Sequence, residues 1–103
     1  MLPRRKPENG IPEVTIVTRE IMVVNQLGIH ARPAAAFVKL ANKFQSDITV
    51  EKDGERVNGK SIMGLLMLGA AQGSKLRVTA RGRDAETAIR EIEELFARKF
   101  GEN

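Results

Sequence analysis

The chain has 103 residues, a net charge of +4 at pH 7, one histidine, and no cysteine, tryptophan or tyrosine. That length suits one domain with a modest core, and the absence of cysteine excludes disulfides and thiolate metal sites; separately, no metal and no cofactor is expected. No apolar run approaches the roughly 18 residues that span a bilayer, and the charged start MLPRRKPENG has no apolar stretch behind it, so neither membrane insertion nor secretion is expected and a cytoplasmic location is the default.

Residues 1–13 hold three of the four prolines and the pair Asn9-Gly10. They read as a flexible N-terminal extension ahead of a domain over residues 14–103. Residues 14–24 are rich in β-branched side chains and predict a strand. Its alternation does not select a face. Val14, Ile16, Met22 and Val24 share one parity, Val17, Ile21 and Val23 the other, and a bulge could divide them. Residues 31 to about 44 predict a helix with Phe37, Leu40, Ala41 and Phe44 on one apolar stripe.

Ile48 and Val50 mark a short strand, Asp53-Gly54 a tight hairpin turn, and residues 56–58 the returning strand. Residues 61–68 are apolar and end at Gly69, which predicts a short helix with Ser61 at its N-cap. Leu76, Val78 and Ala80 alternate with Arg77, Thr79 and Arg81, which predicts another strand. Asp84 is placed to cap a last helix. Its buried face would be Ala85, Ala88, Ile89, Ile92, Leu95 and Phe96, with Gly101 beyond its end. The order is βαββαβα. The simplest packing is an α+β fold, a four-stranded antiparallel sheet with three helices on one face and water on the other.

The histidine, His30, sits in the run GIHARPAA at the start of the first helix. Arg32 and Pro33 then fall in the first turn, where proline is tolerated because its missing N–H has no helical partner. The remaining free amides and the helix dipole favour an anion beside the imidazole. Neutral imidazole is a competent nucleophile near neutral pH. Arg32 can add a charge-assisted contact to a phosphoryl group, and Gly28 allows a sharp backbone turn. A lone histidine cannot build a zinc site.

Residues 54–61 read GERVNGKS and satisfy the Walker A pattern. The match is rejected, because Asp53-Gly54 is better used as a hairpin turn and Val57 as a strand residue. Ser61 caps the short helix and is also a candidate for phosphorylation, since a phosphate is tolerated at a helix start. Such a charge would repel an acidic partner. The apolar residues that follow exceed what one face of a two-turn helix can bury. Leu65 and Leu68 suit the core with Ile62 or Met63 outward, and adaptable apolar side chains beside a reactive group suggest a docking patch.

These segments resemble the histidine-containing phosphocarrier (HPr) family of the bacterial phosphoenolpyruvate-dependent sugar phosphotransferase system. The resemblance runs from about Arg19 to the C-terminus. GIHARPAA matches the active-site motif and GKSIMGLLMLGA the regulatory-serine region. The resemblance implies an HPr-like open-faced β-sandwich of four antiparallel strands and three helices. It implies a stoichiometric phosphoryl carrier rather than an enzyme. His30 would accept the phosphoryl group on Nδ1 from phosphorylated enzyme I and pass it to a histidine of an enzyme II A component. Arg32 would stabilise the group and Pro33 would shape the helix start.

By the same resemblance, Ser61 would be the substrate of HPr kinase/phosphorylase, and Ile62, Met63 and Leu66 would dock partners. A monomer is implied. Some family members lack the histidine and act only as regulators; this chain keeps it. Leu27 is a departure, standing where many relatives have a small polar residue near the phosphoryl group. The alternatives are a nitrogen-type regulatory phosphocarrier without a sugar permease and, outside the family, a small basic RNA-binding domain. The lack of stacking aromatics speaks against the latter, and no nucleic-acid partner is expected.

Overall fold

The computed structural model describes residues 14–102, so the expected extension at residues 1–13 lies outside the described residues. In chain order the elements are β1 (Ile16–Met22), α1 (Ala31–Ala41), β2 (Asp47–Lys52), β3 (Glu55–Asn58), α2 (Ile62–Met67), β4 (Lys75–Arg81) and α3 (Ala85–Ala97), followed by a short turn over Lys99–Gly101. All expected strands and helices form in the expected order. The strands make one antiparallel sheet in the order β1-β4-β2-β3. No helix of the described residues is long and apolar enough to cross a membrane.

The hairpin is set by two residues. Asp53 and Gly54 have φ of 51° and 84°, the left-handed pair that a tight turn between twisted strands requires. Lys52 and Glu55 therefore face each other and the register of β2 on β3 follows.

Tertiary packing resolves the ambiguous first strand. Val17, Ile21 and Val23 point to the core, while Ile16 and Met22 stay 60% and 47% exposed on the outer face. Leu76, Val78 and Ala80 of β4 and Ile48 and Val50 of β2 complete the inner face. The pairing of β1 with β4 runs in continuous register, so no bulge divides the strand. On the outer face, one cross-strand row reads Glu20, Arg77, Glu51 and Arg56. Its charges alternate in sign, which favours that register and leaves little net field.

The helices cover the inner face. α3 buries the stripe expected of it, from Ala85 to Phe96. Phe37 of α1 meets Phe96 edge-on at 6.1 Å between ring centroids. α1 ends at Ala41, three residues before the expected limit. Lys43 N–H and Phe44 N–H donate to Leu40 and Ala41 oxygens in tight turns, and Leu40 and Phe44 are only partly buried against the core.

Asp84 corrects a second expectation. It precedes α3, yet its side chain makes no cap hydrogen bond there. Its carboxylate instead accepts from Gln45 N–H at 2.8 Å and Ser46 N–H at 3.0 Å, and from the Ser46 hydroxyl. The amides of the turn between α1 and β2 have no other partner, so the carboxylate goes to them. These donors, led by the Ser46 hydroxyl, hold the Asp84 carboxyl below the usual aspartate value.

Candidate functional site

The segment between β1 and α1 is stitched to the chain between α2 and β4. Val23 N–H donates to Ser74 O at 2.8 Å, Gly73 N–H to Val23 O at 2.8 Å, and Ile29 N–H to Ala70 O at 2.8 Å. Gly28 sits where this seam is tightest. Its φ is +69°, and a Cβ there would lie 2.5 Å from Ala70 O. Only glycine fits both the torsion and the space.

His30 follows in extended conformation and serves as N-cap of α1 without a side-chain cap bond. Ala34 N–H makes the first helical bond, to His30 O at 3.0 Å. Pro33 has no N–H, so the helix start leaves the amides of Ala31 and Arg32 outside the helical ladder. Those two donors, and the positive end of the helix dipole behind them, form an electropositive start beside the imidazole. Arg32 is exposed on this turn, while Pro33 is buried and fixes it against the core.

The imidazole itself is half open, with 37% of the side chain exposed. Its Nε2 lies 3.0 Å from Glu102 Oε1 and 3.3 Å from Oε2. An ionised carboxylate can only accept, so in the neutral imidazole Nε2 carries the proton and the lone pair resides on Nδ1. Glu102 also accepts from Asn25 Nδ2 at 2.9 Å, and the same Nδ2 donates to Gly28 O at 2.6 Å. Asn25 is fully buried. The Asn25 amide first, and the His30 ring second, hold the Glu102 carboxyl below the usual glutamate value, with the Arg32 charge adding to the effect.

Neither Asn25 nor Glu102 is singled out by the sequence pattern. Glu102 is 72 positions from His30, and no local motif joins them. The one hint is the glycine at 101, which signals a chain reversal just before the acid.

Ser61 is the N-cap of α2, as expected, and its Oγ accepts from Gly64 N–H at 3.0 Å. Leu65 and Leu68 are buried. Ile62 and Leu66 are 41% and 37% exposed, and Met63 and Met67 are each 69% exposed. Leu27 is exposed as well, at 72%. Apolar side chains this open, on neighbouring segments, are unusual for a surface with no partner. Met67 belongs to this patch too; the sequence pattern counts it in the apolar surplus without assigning it a face.

Three comparisons point the same way. Residues 17–98 match the family model described as "PTS HPr component phosphorylation site". The chain is 43% identical to a phosphocarrier protein HPr of Xylella fastidiosa over 88 residues, covering 85% of this chain and 99% of that one. It is 43% identical over 77 residues to the HPr-like protein Crh of Bacillus subtilis, covering 75% of this chain and 91% of that one. Among solved structures it is similar to an HPr from Thermoanaerobacter tengcongensis, with a TM-score of 0.82, 48% identity, and 84% and 98% of the two chains covered.

Proposed function

The chain belongs to the HPr family of phosphocarrier proteins, and from that premise we propose that His30 takes a phosphoryl group on Nδ1 from phosphorylated enzyme I and passes it to enzyme II A components in sugar uptake. The observation that carries this reading is the contact of His30 Nε2 with the Glu102 carboxylate. Glu102 occupies Nε2, so the lone pair is on Nδ1, beside a helix start whose two amides are uncapped. Phosphoryl transfer needs positioning and charge stabilisation more than covalent chemistry from the protein. The free amides and Arg32 supply these, and Pro33 holds the turn in place.

The exposed side chains of Ile62, Met63 and Leu66 support a docking role next to the reactive end. Ser61 at the same helix start is the proposed target of HPr kinase/phosphorylase. Residues 14–103 act as the carrier unit. The working form is a monomer. In support of this, Arg19 lies on the inward parity of edge strand β1, between Val17 and Ile21, where a charge opposes strand-to-strand pairing. Retention of the histidine favours a carrier over a purely regulatory relative.

Incubation with enzyme I, magnesium and phosphoenolpyruvate tests the reading. The expected product carries an acid-labile, alkali-stable phosphate that His30→Ala lacks. A wild-type chain left unlabelled under conditions that label a control carrier would overturn it. Treatment with HPr kinase/phosphorylase and ATP should in turn give acid-stable phosphoserine at Ser61, and modification elsewhere would remove that part.

A further inference from the structure

We propose that the outer face of the sheet pairs with the same face of a second copy of this chain, about a two-fold axis that lies between the stacked sheets, parallel to the strands and over the seam between β4 and β2. In the carrier reading above a single chain does the work. The pairing goes beyond that reading and leaves the transfer site open, because His30 and the exposed residues of α2 belong to the helical layer on the other side of the sheet.

The first support is the arrangement of charge. The outward positions follow from the register. One level holds Ile16, Arg81 and Asp47, the next Thr18, Thr79, Thr49 and Asn58, and the third Glu20, Arg77, Glu51 and Arg56. Read along the strands, the same positions separate by sign. β4 presents Lys75, Arg77, Thr79 and Arg81, with no acid, and β2 presents Asp47, Thr49 and Glu51, with no base. A basic strip therefore lies beside an acidic one at the centre of the face. The edge strands carry the reverse bias, Glu20 on β1 and Arg56 on β3.

A two-fold interface sets one residue against a second, and the second against the first. With the axis along the strands, β4 of one copy covers β2 of the other, and β1 covers β3. Arg81 then meets Asp47 of the second copy, Arg77 meets Glu51, Glu20 meets Arg56, Thr79 meets Thr49 and Thr18 meets Asn58. Each pair occurs twice. Every charged pair is opposite in sign, and every uncharged pair can exchange a hydrogen bond. Lys75, at the end of β4, comes over the turn that carries the exposed Asp53. An axis across the strands would instead lay β4 on β4 and set base on base, which is repulsive. The charge pattern thus selects one orientation. It is the aligned one, in which sheets stack face to face about 10 Å apart.

The second support is what the face leaves unused. Among the described residues, the only ion pair within these rows is Arg56 with Glu51, at 3.9 Å. Ile16 and Met22 stand on the same face at its β1 margin, and pairing withdraws apolar surface of this kind from water. The edge of β1 does not compete for the second copy, because Arg19 on its inward parity opposes strand addition. Exposed ion pairs are individually weak. The pairing is therefore a reversible association of concentrated protein, and the dilute carrier stays single.

The test uses the full chain. Sedimentation equilibrium over a concentration series into the millimolar range should show reversible exchange between monomer and dimer. Arg81→Asp sets acid against Asp47 at both symmetric contacts and should weaken association by about tenfold or more. Asp47→Arg should do the same with base against base. Arg81→Asp combined with Asp47→Arg restores opposite signs, both between the copies and within the sheet. That double variant should recover the association to within about threefold of wild type. Melting curves on each variant confirm that folded protein is compared.

A second readout needs no variant. On dilution of the wild type, amide resonances of Thr49, Arg77 and Thr79 should move, and those of Ile62, Met63 and Leu66 should stay. A wild type that remains a monomer throughout the series would overturn the proposal. So would a single charge reversal that associates like wild type, or a double variant as weak as the single ones. Dilution shifts centred on α2 would overturn it as well, by assigning the association to the docking patch.

Discussion

Two helix starts on this molecule are built from similar parts and end in opposite states. At α2, Ser61 is extended and its hydroxyl accepts from Gly64 N–H at 3.0 Å, so the helix satisfies its own third amide. At α1, His30 is also extended, yet its side chain caps nothing. The amide in the equivalent third position does not exist, because Pro33 stands there. The imidazole is turned toward Glu102 instead. One start is closed upon itself and the other is held open with donors to spare. The contrast teaches that a reactive helix terminus is defined by what its residues decline to do for local stability.

The largest expected effect on this contrast comes from closing the open start at its hinge. Gly28→Ala forces a left-handed torsion on alanine and drives a methyl group into the Ala70 carbonyl, 2.5 Å away. The loss should be about 3 kcal/mol or more, combining left-handed strain with overpacking. Thermal unfolding measures it, and phosphate uptake should fail along with it, since the seam at Ile29 and Ala70 positions His30. A variant that folds and transfers normally would show that the open start does not depend on this hinge.

Arg32→Ala should separate chemistry from folding. Arg32 is exposed, so its removal should change the melting temperature by only about 2 °C. Transfer should slow by roughly a hundredfold, the scale on which one donor to a developing anion acts. Melting curves and single-turnover rates on the same preparation check this. Comparable losses in both would make Arg32 structural and weaken the contrast with α2.

A third helix start sharpens the comparison. Asp84 stands before α3 and, like His30, does not cap its helix. It spends its carboxylate on Gln45 and Ser46 across the fold. Asp84→Asn should cost about 1–2 kcal/mol, the lower part of the range for charge-assisted hydrogen bonds because water reaches the group. The pH dependence has a fixed sign. The folded carboxyl is held below its usual value, first by the Ser46 hydroxyl, so its stabilisation is fully present above the ordinary aspartate value. It is lost as pH falls through the lowered folded value. Urea midpoints across that acid range should fall more steeply for wild type than for Asp84→Asn.

How much of this was readable in the sequence follows distance along the chain. The hairpin at Asp53-Gly54, the Ser61 cap and the helix start at His30 each rest on residues within a few positions of one another, where torsions and hydrogen bonds are decided locally. The inward face of the first strand was not readable. Val17 and Ile21 carry the same kind of side chain as Ile16 and Met22, and only packing against α3 and pairing with β4 choose between them. Asp84 reads as a cap by position, but its true partners lie 38 and 39 residues away. Glu102 is the extreme case. Its meaning depends on a turned-back chain end meeting a loop from the other end of the domain, through an asparagine whose neighbours in sequence say nothing about it.

The smallest effect tests the contrast most directly. Ser61→Ala should lower stability by about 1 kcal/mol, the ordinary value of an N-cap hydroxyl. His30→Ser should not lower it comparably, because no cap bond is lost there. A serine at position 30 would instead offer a hydroxyl to the idle Arg32 amide, the one at Pro33 being absent, and the gain is a fraction of a cap's usual worth. Against this stands the loss of the Glu102 contact, which is partly exposed and therefore weak in stability terms. The melting temperature of His30→Ser should lie at or slightly above that of wild type, while phosphate uptake is abolished, and Ser61→Ala should lie below both. The reverse order, with His30→Ser the less stable variant, would mean that the histidine is retained for folding. The open helix start would then be an accident of packing rather than the place where stability is set aside for chemistry.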